Sequence, residues 1–212
     1  MRIAVINLLQ RETKQQMGVD LSPVWDGFQK AFDKIALPRS GVEVKLVFPE
    51  KSQFAVHFPY IEFLNNRWFL DAAVKAEREG YDAVIPGAAT DTGLHFLREI
   101  LKIPVVGISE SAFLVASCLG NRFAGITVFQ RLIPPKERNL KLYGIDTRAI
   151  HDKPIRSCDL TLEDVAGLFD EKHLRSVIIP KFERVAMDCV RDGAEVIVAD
   201  DAWLGPAFSY YN

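Results

Sequence analysis

The sequence predicts an α/β fold of two similar lobes, each built on a parallel, Rossmann-like sheet. Short apolar runs alternate along the chain with longer segments of helical periodicity, the pattern of consecutive βαβ units. Several of these runs are apolar throughout, as expected of strands that are covered on both faces. The segments 77–96 and 190–208 also share one order of features: a charged helix end, a glycine, a strand and a turn of small residues. This internal repetition predicts two lobes of the same kind.

In the first half of the chain the run "RIAVINLL" (2–9) predicts a buried strand. Segment 22–36 spaces Val24, Phe28 and Phe32 at helical intervals and predicts a helix. "VEVKLVF" (42–48) alternates like a strand. "NRWFLDAAVKAEREG" (66–80) predicts a helix that ends at Gly80, a residue suited to the left-handed position after a helix. "YDAVIPG" (81–87) follows as a strand.

The second half continues the alternation. The predicted strands are "IPVVGIS" (103–109), "RFAGITVF" (122–129), "IDTRAIH" (145–151) and "AEVIVAD" (194–200). The predicted helices are "GLHFLREIL" (93–101), "SAFLVASCLG" (111–120) and "PKERNLKLYG" (135–144). Helical segments also lie between 161 and 193, where Pro180 predicts a break or the first turn of a helix.

Composition and charge exclude several classes of function. The net charge is −2 in 212 residues, which gives no electrostatic basis for binding nucleic acid or an anionic membrane. No apolar run approaches the roughly 18 residues of a membrane span. The widely spaced Cys118, Cys158 and Cys189 predict neither a disulfide framework nor a zinc site, and they fit core positions in a reducing cytoplasm. Neither a nucleotide-binding glycine motif nor a metal-ligand spacing of histidines occurs, so neither a cofactor nor a metal is predicted.

Four stretches together carry a resemblance to a known family. "MRIAVIN", "EGYDAVIPGAATDTGLHFLREILKIPVVGISESA", "NRFAGITVF" and "GAEVIVADDAWLGP" resemble, in order and spacing, the aspartate/glutamate/hydantoin racemase superfamily. The resemblance implies two lobes related by a pseudo-two-fold axis, with the active site in the cleft between them. It also implies cofactor-independent chemistry, in which one cysteine from each lobe flanks the acidic carbon of the substrate. Asp91, Gly93 and Leu94 match the hydantoin racemase motif after the first catalytic position.

The departures from the family pattern concern the catalytic residues themselves. The first cysteine position falls on Ala88 and the second on Asp201. Of the family's Asn-Pro-Asn-Thr after the first strand, only Asn7 is retained. Symmetric two-base racemisation needs a proton carrier on each face, and Ala88 has none. The usual mechanism of the family is therefore not available to this chain.

Asp201 is the candidate catalytic residue. It follows an apolar strand at the position of the second cysteine, and it could act there as a general acid or base. An alternative interpretation is that Asp201 only caps a short helix that begins near Ala202. Asp200, one residue earlier, would point to the other side of an extended chain. The chemistry left open is one-base isomerisation, decarboxylation followed by protonation, or hydrolysis of an amide or imide ring.

The expected enzyme acts on the acidic carbon of a small carboxylate or a hydantoin-like cyclic amide, and a non-catalytic ligand-binding relative is the alternative. The predicted substrate-binding residues are Asn7, Ala88, Ala89, Thr90, Asp91, Thr127 and Ala202. For Asp91 the alternative is a cap on the helix from Thr92, and for Thr127 it is an ordinary strand position. His57 is interpreted as a solvated loop residue, with a role in the cleft as the alternative.

The expected organisation follows from the same resemblance. The first lobe is predicted to span 1–103 and the second 104–204, with 205–212 returning toward the first lobe. We expect a cytoplasmic homo-oligomer with a small-molecule substrate and with neither a nucleic-acid nor a membrane partner.

Overall fold

The computed structural model describes residues 1–36, 41–53 and 58–211. Two three-stranded parallel sheets form its framework. In the first, β1 (Arg2–Ile6) lies between β2 (Glu43–Val47) and β3 (Ala83–Pro86). In the second, β4 (Phe123–Thr127) lies between β5 (Ile155–Ser157) and β6 (Val196–Ala199). The first strand of each set is central in both sheets, and the predicted α/β fold of two similar lobes is confirmed.

Helices connect and cover the strands. They are α1 (Lys14–Met17), α2 (Ser22–Ala36), α3 (Pro59–Arg78), α4 (Leu94–Ile100), α5 (Ile108–Leu119), α6 (Ile133–Leu142), α7 (Leu162–Ala166), α8 (Glu171–His173), α9 (Ile179–Arg191) and α10 (Leu204–Tyr210). A π-helical turn, Leu174–Ile178, joins α8 to α9. Pro180 follows it in the first turn of α9, where a missing N–H is tolerated. Within the described ranges, no helix combines the length and the apolarity needed to cross a membrane.

Two predicted strands are wrong. Residues 145–151 form a short 3-10 turn, Asp146–Arg148, and a single bridge between Ala149 and Phe123. Asp146 and Thr147 favour turns, and the strand that pairs with β4 is 155–157 instead. In 103–109, one bridge joins Val105 to Val84, and α5 already begins at Ile108.

The largest difference between a predicted and an observed helix boundary is at the start of α3. α3 begins at Pro59, seven residues before the predicted start at 66, because proline suits the first turn of a helix. Its predicted end is confirmed: Gly80 follows with a positive φ of 80°. Strand β1 ends at Ile6, so residues 7–9 are free to form a turn at the edge of the sheet.

Helix α2 packs against both halves of the chain: on β2 in its own half, and on elements of the second half. Its buried Val24, Trp25 and Phe28 lie in one apolar cluster with Ile126 of β4 and Leu204 of α10. Helix α10 packs against α2, and Lys34 Nζ donates a hydrogen bond of 2.9 Å to the Tyr210 carbonyl. The lobe boundaries at 103 and 204 stay predictions, and the apolar core crosses the first of them.

Candidate active site

A pocket opens where the carboxyl ends of the two sheets meet. Such edges are the usual ligand sites of parallel sheets. The lining residues follow β1, β3, β4 and β6, and they are Asn7, Leu8, Leu9, Gly87, Ala88, Ala89, Thr90, Val128, Phe129, Leu132, Lys136, Asp201, Ala202 and Trp203. Six of the eight predicted site residues are in this set. The structure therefore brings the two predicted catalytic positions, Ala88 and Asp201, into one pocket.

Asp201 is almost buried in this pocket, with 8% of its surface exposed. Its Oδ1 accepts a hydrogen bond from the Trp203 backbone N–H at 3.0 Å, and its Oδ2 accepts one from Thr127 Oγ1 at 3.3 Å. The first contact holds the turn before α10, which starts at Leu204 rather than near Ala202 as predicted. Burial raises the pKa of Asp201 above its ordinary value, although Lys136 opposes the shift. A raised pKa brings the carboxyl closer to the range useful for proton transfer.

Thr127 does not line the pocket. It is fully buried at the end of β4, and its hydroxyl faces the carboxylate of Asp201. Its place is behind the candidate catalytic group, where it fixes one of the two oxygens.

Asp200 points away from the pocket lining, as the alternation of an extended chain predicts. Its side chain is 1% exposed, and its Oδ1 lies 3.1 Å from Lys136 Nζ and accepts a hydrogen bond of 3.0 Å from Ser109 Oγ. Its Oδ2 is buried without a hydrogen-bond donor among the described residues. Burial raises the pKa of Asp200 as well, against the opposing effect of Lys136.

Lys136 is a site residue that the sequence reading missed. It lies on α6 with its side chain fully buried, and its Nζ donates to the Ala89 carbonyl at 2.8 Å and the Asp200 carbonyl at 2.7 Å. Ala89 belongs to the first-lobe turn and Asp200 to the second-lobe turn. One ammonium group therefore holds both turns of the pocket.

Two more side chains of the α6 region contact the first-lobe turn. Asn139 Nδ2 donates to the Thr90 carbonyl at 2.7 Å, and the Tyr143 hydroxyl donates to Asp91 Oδ2 at 2.7 Å. One helical face of this region carries residues 136, 139 and 143. The spacing of these polar side chains at i, i+3 and i+7 could have predicted that this face contacts the site. That face of "PPKERNLKLYG" is directed at the other lobe.

The first-lobe turn is built from small residues because the chain is crowded there. The Gly87 N–H donates to the Ile6 carbonyl at 2.7 Å, and a Cβ at Gly87 would lie 2.4 Å from that same oxygen. Ala88 and Ala89 follow, nearly buried. The Thr90 hydroxyl then donates to Glu62 Oε1 of α3 at 3.0 Å. No side chain from 87–89 offers a proton to the pocket.

Asp91 does not face the pocket, and it does not cap its own helix. It adopts a positive φ of 49°, and its carboxylate accepts backbone N–H bonds from Ser109 at 3.1 Å and Glu110 at 2.8 Å. It therefore caps the first turn of α5, eighteen residues along the chain. This corrects the predicted cap on the helix from Thr92. Burial raises the pKa of Tyr143, and its bond to Asp91 adds to the rise.

Asn7 offers the pocket a free hydrogen-bond donor. Only 5% of the residue is exposed, and its Oδ1 accepts a long bond of 3.4 Å from the Leu9 N–H. Its Nδ2 is buried with no acceptor among the described residues. A buried donor without a partner is costly, so a ligand oxygen is the natural acceptor.

None of the three cysteines lines the pocket. Cys158 directly follows β5, the strand beside β4. Burial and the charge of Asp201 raise the pKa of its thiol to about 12. A thiol of this kind is not a thiolate at neutral pH. Cys118 is exposed on α5, and Cys189 is buried in α9. His57, the weaker cleft candidate, lies outside the described residues.

Known proteins resemble this chain in sequence and in structure. It is 30% identical over 155 residues to the hydantoin racemase of Pseudomonas sp. (strain NS671), covering 71% of this chain and 62% of that one. It is 34% identical over 127 residues to the hydantoin racemase of Rhizobium meliloti, covering 58% and 48%. Allantoin racemase from Pseudomonas fluorescens superposes with a TM-score of 0.75 at 26% identity, over 93% of this chain and 75% of that structure.

The chain spans less than two thirds of the length of the two curated relatives it matches. The family model described as Asp/Glu/Hydantoin racemase matches residues 40–199, well over half of the chain. The matched range includes the first-lobe turn, Lys136 and the strand that leads to Asp201. On this evidence the chain belongs to the Asp/Glu/hydantoin racemase family.

Proposed function

We propose that this chain is a cofactor-independent enzyme that exchanges the proton on the acidic carbon of a small hydantoin-like cyclic amide, with Asp201 as the general acid and base. The observation that carries the proposal is the place of Asp201. An ionisable carboxyl, nearly buried, lines the pocket, and the sequence resemblance predicts that this position corresponds to the family's second cysteine. The names of the similar proteins, hydantoin racemases and an allantoin racemase, support this class of substrate.

The proton-transfer step needs a base and a place for the resulting charge. Asp201, ionised, takes the proton from the carbon beside the ring carbonyl and becomes a neutral acid. The electron pair of the broken C–H bond moves into the ring carbonyl and gives an enolate. The reverse transfer restores the C–H bond, so the step is balanced without a further reactant. General acid–base catalysis of this kind typically contributes about 10² to 10⁴-fold in rate.

Asn7 is suited to stabilise the enolate. Asn7 lines the pocket, and its Nδ2 is buried without an acceptor among the described residues. A preorganised donor of this kind has its largest effect on charge that develops during the reaction. A neutral ring also avoids the repulsion that a carboxylate substrate would meet beside Asp201 and Asp200.

The stereochemical outcome follows from Ala88. Because Ala88 has no proton to give, Asp201 returns the proton mainly to the face from which it came. The proposed enzyme therefore exchanges the proton with solvent faster than it inverts the carbon.

The test is proton exchange in deuterated water with a single enantiomer of a 5-substituted hydantoin. Proton NMR measures loss of the C–H signal, and chiral chromatography measures inversion. We expect exchange above the buffer-only rate, slower inversion, and a loss of exchange of about 10² to 10⁴-fold in Asp201→Asn. Asp71→Asn, the same change at an exposed position of α3, is the matched control and should exchange like the wild type.

The alternative functions predict other products in the same assay, or in a parallel assay that uses an arylmalonate as substrate. Ring opening would appear as a new carbamoyl product and would favour a hydrolase. Release of CO₂ from an arylmalonate would favour decarboxylation. Saturable binding without exchange, equal in wild type and Asp201→Asn, would leave a ligand-binding relative and would overturn the proposed catalysis.

A further inference from the structure

Three ionisable side chains are buried together where the two lobes meet. Lys136 and Asp200 have almost no exposed surface, and Asp201 is 8% exposed. Two carboxylates beside one ammonium would leave a net negative charge in a nearly dry site. Burying an uncompensated charge is costly, and one proton on the pair of carboxyls removes that cost.

The contacts distinguish the two carboxyls. Asp200 Oδ1 lies 3.1 Å from Lys136 Nζ and accepts from the Ser109 hydroxyl, so a direct ion pair compensates its charge. The hydrogen bonds to Asp201 come from the Trp203 and Val128 backbone N–H groups and the Thr127 hydroxyl, all neutral. Asp201 is also the one that lines the pocket. Asp200 therefore stays ionised beside Lys136, and Asp201, which faces the substrate, is the carboxyl that binds and releases the proton.

Lys136 itself cannot be the acid. The three hydrogens of its ammonium group are matched by three close oxygens: the Ala89 carbonyl, the Asp200 carbonyl and Asp200 Oδ1. No hydrogen is left for a substrate. The other ionisable group near Asp201 is the Cys158 thiol, whose pKa of about 12 keeps it neutral.

We propose that Lys136 is a positioning residue: it clamps the two pocket turns to each other and compensates the charge of Asp200, which leaves Asp201 as the carboxyl that exchanges the proton. The proposal rests on the proposed function in giving Asp201 that task. It goes further in assigning distinct charge states to the adjacent carboxyls and in naming the residue that separates them.

The test measures the titration of Asp201 directly, without substrate. Carboxyl carbons of ¹³C-labelled aspartate are followed by NMR against pH, and Asp201→Asn assigns the signal. Lys136→Met removes the positive charge and should move the Asp201 midpoint to higher pH. Asp200→Asn leaves that charge without its partner and should move the midpoint to lower pH. An opposite or like charge at this range shifts a carboxyl by about one to three pH units.

Asn139→Leu is the matched control. It removes another contact between α6 and the first-lobe turn, the bond to the Thr90 carbonyl, and changes no charge. Its Asp201 midpoint should stay that of the wild type. Where Lys136→Met does not fold, the double variant Lys136→Met/Asp200→Asn, which removes both charges of the ion pair, takes its place. Its Asp201 midpoint should lie above that of Asp200→Asn, whereas a purely structural lysine predicts equal midpoints in these two variants.

An Asp201 midpoint that rises in Lys136→Met and falls in Asp200→Asn supports the proposal. Shifts in the same direction for Lys136→Met and Asp200→Asn, or a shift in Asn139→Leu as large as theirs, would overturn it. The proposed function is judged separately: absence of exchange in the wild type overturns that function, whereas the titration midpoints still decide the role of Lys136.

Discussion

The turns after β3 and β6 occupy the same place in two sheets of the same strand order, but they differ in chemistry. The first-lobe turn, 87–92, presents glycine, two alanines and hydroxyl groups. The second-lobe turn presents Asp200 and Asp201, with Lys136 between the lobes to compensate them. The two lobes therefore repeat the same backbone arrangement, but the side chains of their two pocket turns differ in chemical character. In the proposed function, one lobe shapes the pocket and offers a neutral donor, and the other carries the proton.

After the loss expected in Asp201→Asn, the largest expected effect concerns the donor of the first lobe. Asn7→Leu removes Nδ2 while keeping the branched shape and the number of heavy atoms of the side chain. Loss of one oxyanion donor typically costs about 10² to 10³-fold in kcat, and exchange of the hydantoin proton should fall by that order. Stability should fall much less, because the variant removes a buried donor that lacks an acceptor together with only one long bond, that of 3.4 Å from the Leu9 N–H. Equal losses of exchange and of thermal stability would assign Asn7 to the fold alone.

The next prediction concerns a variant that adds a second proton carrier, at position 88 of the first-lobe turn. Ala88→Cys places an ionisable thiol on the face opposite Asp201, so inversion should rise toward the exchange rate, by about 10²-fold if the thiol contributes the lower range of acid–base catalysis. Chiral chromatography alongside NMR measures the ratio of the two rates. A wild type that already inverts as fast as it exchanges would contradict the empty first position. Thr90, with Glu62 behind it, would then be the next pair to replace.

A smaller effect tests the crowding of the first-lobe turn. Gly87→Ala places a Cβ 2.4 Å from the Ile6 carbonyl oxygen, and overpacking of this kind costs about 1–3 kcal/mol. Urea denaturation measures the free energy of unfolding. Gly205→Ala is the control, since its Cβ would meet nothing within 4 Å. Equal stability of the two variants would show that the turn has room to relax.

The smallest effect is the dependence of stability on pH. Burial raises the pKa of Asp201 in the folded chain, so the native state binds this proton more tightly than the unfolded state. Such a carboxyl contributes stability that is fully present below the unfolded pKa and is lost as pH rises through the folded pKa. Asp201→Asn should therefore be more stable than the wild type at about pH 8, and the difference should close near pH 4.

Each unit of pKa difference corresponds to about 1.4 kcal/mol. Chemical denaturation at the two pH values measures the gap. A gap of the same size at both values would mean that the Asp201 side chain is not desolvated in the native state.

Local patterns were enough to predict the fold and the two pocket turns. Apolar runs that end at Gly87 and at Asp200 mark the strand ends, and parallel sheets place such ends at one edge. The Asp91 cap and the Lys136 clamp could not be predicted in the same way. Each depends on a contact between elements far apart in the chain. The presence of a polar residue on a helix or turn does not predict which distant backbone group it will hydrogen-bond. The false strand at 145–151 shows the same limit, because alternation alone does not supply a pairing partner.

The packing of α2 has a consequence for how the protein is made. During synthesis α2 leaves the ribosome before β4, β6 and α10. Its Val24, Trp25 and Phe28 are buried partly by nearby residues such as Phe48 and partly by those later elements. Until the last strand emerges, part of the apolar face of α2 stays exposed to solvent. Chaperones bind exposed apolar surface of this kind during synthesis. Such long-range closure raises contact order and slows folding. The two halves are thus expected to reach the native state in a single late step rather than one after the other.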